Sequence, residues 1–129
     1  MKIRLLEKNI PLQTRLRDLL SPIPGVASVD SSEEPEDLIQ QLEQDPPSIL
    51  IMNLRDFPTL KNISNIKKAS PATTLILFIE HPSVEISTVC TQLGADQVLV
   101  KSTEIEKVVQ IVSDKTKAYL ENKAVLPSL

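Results

Sequence analysis

Residues 71–102 read PATTLILFIEHPSVEISTVCTQLGADQVLVKS, and this stretch decides the fold class. Thr74–Ile79 is an unbroken apolar run, rich in β-branched and aromatic side chains and without polar alternation. Such a run suits a strand covered on both faces. After Pro82 the pattern changes to helical spacing, with Ile86, Val89, Cys90 and Leu93 forming the expected buried face. Gly94 follows as the residue that ends the helix in a left-handed conformation. Gln97–Val100 then reads as another strand. Strand, helix and strand in so short a span make a parallel pair joined by a helical crossover.

The same alternation extends outward. Asp45-Pro46-Pro47 precedes a second continuous apolar run, Ser48–Met52. A loop, Leu54–Thr59, leads to a helix with Leu60, Ile63 and Ile66 facing inward. At the start of the chain, Ile3–Leu6 is a strand, and Pro11 opens a helix with Leu12, Leu16, Leu19 and Leu20 on one face. Ser21–Gly25 stops it, and Val26–Val29 is the second strand. Ser31 with Glu34 resembles a capping box for a helix carrying Leu38, Ile39 and Leu42, and five acids between Asp30 and Asp37 sit at its positive end. Thr103 with Glu106 resembles a second capping box. The last helix, Glu104–Asn122, would be about 28 Å long at ~1.5 Å per residue. Its far end is expected to project past the sheet and leave Tyr119 and Leu120 without an intradomain partner. Five strand–helix pairs predict one α/β domain, a parallel sheet with helices on both faces. In such sheets the functional residues stand at the carboxyl ends of the strands. Here those are Glu7, Lys8 and Asn9, then Asn53 to Asp56, Ile79 to His81, and Lys101.

Composition excludes several classes. With 2 Gly in 129 residues there is no GxGxxG and no GxxxxGK[ST], so dinucleotide and P-loop phosphate sites are absent. One Cys and one His allow no internal disulfide and no Cys/His zinc site. A net charge of -3 and the lack of Trp argue against this segment gripping nucleic acid. The longest apolar runs are too short to cross a bilayer, and the N-terminus has no extended apolar segment. The expectation is a cytoplasmic, reduced protein with no membrane contact, no cofactor and no resident metal. Taken by themselves, Asn53 is a buried amide, Lys101 a salt-bridge partner, His81 an exposed loop residue and Cys90 a buried packing group.

Over residues 2–120 the chain resembles a response-regulator receiver domain. The resemblance lies in residues 71–102, including Leu93-Gly94-Ala95-Asp96 and Lys101, and in the segment Asp45-Pro-Pro-Ser-Ile-Leu-Ile-Met-Asn-Leu54. It implies a flavodoxin-like (βα)5 three-layer sandwich with a five-stranded parallel sheet in the order 2-1-3-4-5. It also implies phosphoryl transfer to an Asp after strand 3, two acids after strand 1 holding Mg²⁺, and a Thr or Ser and a Lys on the phosphoryl group. Asn53 stands at the acceptor position, Ile79 at the hydroxyl position, and Glu7-Lys8 or Lys8-Asn9 in place of the acid pair; Lys101 alone matches.

The sequence therefore predicts a pseudo-receiver. It would be a regulatory domain, not an enzyme, acting through protein contacts in signal transduction and transcription. Lys8 is expected near Asn53 or Asp56, supplying the positive charge a metal would give. Residues 124–129 resemble the linker of NarL/FixJ-type regulators. That divides the chain into a receiver-like domain, 1–120, and a linker remnant, 121–129, toward a DNA-binding domain through which alone DNA would be contacted. A homodimer through the last helix is expected. Two alternatives stay open: a displaced phosphoacceptor at Asp56 with Glu7 as a residual metal ligand, and a small-molecule-sensing domain of the same shape.

Overall fold

Alternate residues of the central strands face opposite layers. The computed structural model describes residues 1–32, 38–54 and 57–125. In it β1 (Lys2–Leu6), β2 (Ser28–Ser32), β3 (Ile49–Asn53), β4 (Thr74–Ile79) and β5 (Gln97–Val100) form one sheet in the order β2-β1-β3-β4-β5. Every pairing is parallel. This is the flavodoxin-like order that the resemblance implies.

Helices α1 (Ile10–Leu20) and α5 (Ile105–Val125) cover one face; α2 (Leu38–Gln44), α3 (Phe57–Ala69) and α4 (Val84–Leu93) cover the other. Ile3, Leu5, Ile49, Ile51, Ile76 and Phe78 pack toward α1 and α5. Leu50, Met52, Leu75 and Leu77 pack toward Leu42, Ile63, Ile66 and Cys90. Every residue of β3 is buried, as the continuous run requires. Burying each such Leu or Ile contributes about 1.5–3 kcal/mol.

Local signals set several helix ends. The Asn9 side chain accepts from Leu12 N at 3.0 Å and Pro11 sits in the first turn of α1. Ser83 Oγ accepts from Ile86 N at 3.1 Å at the start of α4. Gly94 ends α4 with φ +121°, a conformation that favours glycine.

Four expectations need correction. The second strand is Ser28–Ser32, not Val26–Val29. Among its described side chains Val29 alone is buried in the core, while Ile23 and Val26 pack against that core from the preceding turn. Ser31 therefore lies in a strand, where its Oγ accepts from Arg17 Nη2 at 2.7 Å; Glu34, its expected capping partner, lies outside the described residues. The last helix starts at Ile105, so Glu104, not Thr103, occupies the cap position. Tyr119 and Leu120 are partly exposed but not isolated. A Cβ on Gly25 would stand 3.4 Å from Leu120 Cδ1, so the helix end leans on the α1–β2 turn. Helix α5 runs past residue 120 to Val125, and residues 126–129 lie outside the described chain. Among the described residues no helix is long and apolar enough to cross a membrane.

Candidate functional site

At the carboxyl end of the sheet one residue, Glu7, gathers four segments. Glu7 is the first residue beyond β1 and is only 4% exposed. The turn into α1 folds back over it: its Oε1 accepts from Asn9 N at 2.9 Å. Gln13, in α1, donates its side-chain amide to the Glu7 carbonyl. From the end of β3, Asn53 donates its Nδ2 to Glu7 Oε2. From beyond β5, Lys101 Nζ lies 3.3 Å from the same oxygen. A buried carboxylate without such partners costs several kcal/mol, and these donors and the ammonium offset that cost.

The structure thus brings Glu7, Asn53 and Lys101 together. Ile79 joins through its backbone, accepting from Lys101 N at 2.9 Å. Its side chain is buried and offers no hydroxyl. Lys8 is exposed, and among the described residues Lys101 is a cation paired with Glu7. Asp56 lies outside the described residues, and His81 is exposed. Gln13 was invisible to pattern reading, because its role is to hold a backbone carbonyl.

The chemistry of this group is limited. Asn53 is 9% exposed, carries no charge and has a poor nucleophile in its amide. Its Oδ1 is buried without a hydrogen-bond partner. A Mg²⁺ ion needs a set of hard oxygen donors, usually including one or two carboxylates. Glu7 is the single carboxylate among these residues, and it already holds an ammonium and two N–H donors. The described residues do not fit a resident divalent cation, and among them no three acids, His or Cys gather into a metal-binding group.

Beside this edge lies a groove of about 530 Å³ between α4 and β5, lined by Ile79, Pro82, Val84, Thr88, Val98 and Val100. The expected inward face of α4 is only partly so: Cys90 is fully buried, while Ile86 and Val89 are exposed and Val84 is 85% exposed. Glu104 stands at the groove's rim, where its Oε1 accepts from Val100 N at 2.9 Å on the outer edge of β5. The adjoining Lys107 ammonium, then the Val100 N–H, hold its carboxyl below the usual carboxylate range.

No protein-family model matches this chain, and no curated protein does. Solved structures do resemble it. An orphan response regulator of H. pylori superposes with a TM-score of 0.76 at 21% identity, over 90% of this chain and 96% of that one. An atypical orphan response regulator, described as revealing a phosphorylation-independent regulatory mechanism, gives 0.75 at 20%, over 91% and 96%. A LuxR-family two-component response regulator from an Aurantimonas species gives 0.75 at 18%, over 91% and 85%. At these identities the likeness is one of fold, and the fold is that of a receiver domain.

Proposed function

We propose, from the receiver fold of this chain, that it is a regulatory domain that is not phosphorylated and works through protein–protein contacts in signal transduction and transcriptional control. One observation carries the reading: Asn53, at the position of the family's acceptor, donates its amide to a buried Glu7 that is itself paired with Lys101. A nucleophilic carboxylate, a hydroxyl after β4 and a free metal site are all missing from that group. The exposed Val84, Ile86 and Val89 on α4, with Tyr119 and Leu120 on α5, support contact with partner proteins. In this reading the chain forms a weak homodimer that uses α5. Residues 121–129 begin within α5 and lead to a DNA-binding effector domain, which alone touches DNA. The domain has no enzymatic activity of its own.

The test is incubation with a small phosphodonor and Mg²⁺, followed by intact-mass analysis. The expected spectrum shows the unmodified mass alone. A phosphate adduct, at Asp56 or elsewhere, overturns the reading. Sedimentation at rising concentration tests the dimer, and a monomer throughout rejects it.

A further inference from the structure

β1 and β5 are not neighbours in the sheet. β3 and β4 lie between them, so their ends stand about 14 Å apart, three strand spacings of ~4.8 Å. Glu7 follows β1 and Lys101 follows β5, yet Lys101 Nζ is 3.3 Å from Glu7 Oε2. Both side chains must therefore reach along the carboxyl edge, over the ends of β3 and β4. A pair stretched this far has little slack, and any retreat of the β5–α5 turn pulls it apart.

Each end of the span is clamped. Glu7 is fixed by Gln13, by Asn9 N at 2.9 Å and by Asn53. Asn53 directs its N–H to Glu7 even though its Oδ1 is left buried without a partner. At the other end Lys101 N donates to Ile79 O at 2.9 Å, and Thr103 N and Glu104 N donate to Val100 O at 3.2 and 2.8 Å. Val100 and Glu104 also line the α4–β5 groove.

We propose that the Glu7–Lys101 pair is a strap that holds the β5–α5 turn, and the groove beside it, in one arrangement without a phosphoryl group or metal to set it. The proposal rests on the reading of the chain as a domain that is not phosphorylated, and it names what replaces the missing modification. A carboxyl group of the chain itself stands as the partner of Lys101.

The test is residue-resolved amide hydrogen exchange and chemical-shift mapping on the 129-residue chain, with no phosphodonor present. The variants are Glu7→Gln, Lys101→Met and the double substitution. Each single change is expected to speed exchange at Thr103 and Glu104 on the order of tenfold, the weight of one charge-assisted hydrogen bond. Each is also expected to shift the Val100 amide, and the double variant should go no further than either single. Wild-type exchange at Thr103 and Glu104 in Glu7→Gln, or effects that add in the double variant, overturns the strap. Should Glu7→Gln not fold, Lys101→Met is read at the Glu7 and Asn9 amides: displaced resonances support the strap and unmoved ones reject it. An adduct in the phosphodonor assay removes the reading beneath the proposal, whereas additive exchange effects with no adduct remove the strap alone.

Discussion

Lys67 lies across Gly94. A Cβ on Gly94 would stand 2.6 Å from Lys67 Cγ. Beyond that crossing, Lys67 Nζ donates to Thr73 O at 2.7 Å and to Asp96 Oδ2 at 3.1 Å. Asp96 Oδ2 in turn accepts from Leu75 N at 2.7 Å. One lysine therefore ties α3 to the start of β4 and to the turn between α4 and β5. Gly94→Ala meets both a positive φ and the lysine stem, and it should destabilise the fold by about 1–3 kcal/mol in urea unfolding. Wild-type stability would mean that Lys67 moves aside freely.

Asn53→Asp should not create a phosphoacceptor. The new carboxylate would face Glu7 where an amide now donates, replacing a hydrogen bond with like-charge repulsion. Stability at neutral pH is expected to fall by about 1–3 kcal/mol. Ile79 still offers no hydroxyl, and Lys101 is still engaged by Glu7. Intact-mass analysis after phosphodonor and Mg²⁺ should show no adduct; a shifted mass would show that one substitution is enough to rebuild the site.

Acid should weaken the fold through two surface carboxylates. The Lys2 ammonium, 2.7 Å away, holds Asp45 below its ordinary value of 3.8. Lys107 and the Val100 N–H hold Glu104 below its ordinary 4.5. A carboxyl lowered on folding contributes stability that is complete above its unfolded value and is lost as pH falls through its folded value. The double variant Asp45→Asn, Glu104→Gln should therefore show a flatter decline of Tm below about pH 4. Because both groups face solvent, added salt should shrink the difference. Parallel declines would assign the acid sensitivity to other groups.

Cys90 should be inert in the folded chain. It is fully buried in α4, and burial pushes its thiol above the ordinary value of 9.0. Little thiolate forms, and a reagent has no access. Labelling by a thiol reagent at neutral pH is expected to follow the urea unfolding curve. Rapid stoichiometric labelling without denaturant would mean that α4 opens locally.

What the sequence disclosed depended on how each signal arises. Ser48–Met52 and Thr74–Ile79 were legible because a strand covered on both faces needs an unbroken apolar run, and Gly94 because a left-handed helix end favours glycine. The edge strand β2 was misplaced since it needs only Val29 inward; its polar Ser28, Asp30 and Ser31 read as loop. Along α4, which packs over the edge strand β5, the periodicity of Ile86, Val89, Cys90 and Leu93 was real, but only Cys90 is fully buried while Ile86 and Val89 stand exposed. Periodicity cannot report that a helix lies at the edge of a sheet. The positions of Glu7, Asn53 and Lys101 followed from the carboxyl ends of the strands, and their expected roles from resemblance to a known pattern. Their mutual contacts did not, because an ion pair spanning two intervening strands leaves no local trace.

Every strand pairing here is parallel, and this has a kinetic consequence. No two strands can zip from a tight turn. The first partners in the middle of the sheet, Ile3 and Ile49, meet only after the whole of α1, β2 and α2 has been looped out. Such loop closure must precede any reward from burial, so refolding is expected on the order of milliseconds or longer. During that wait the uncharged segment Ile49–Met52 has no partner and is prone to stick to other chains. Pro46 and Pro47 precede it, with Ser48 between. Neither carries an N–H with which to extend an intermolecular strand, so the two prolines act as gatekeepers for this apolar strand while its neighbours arrive.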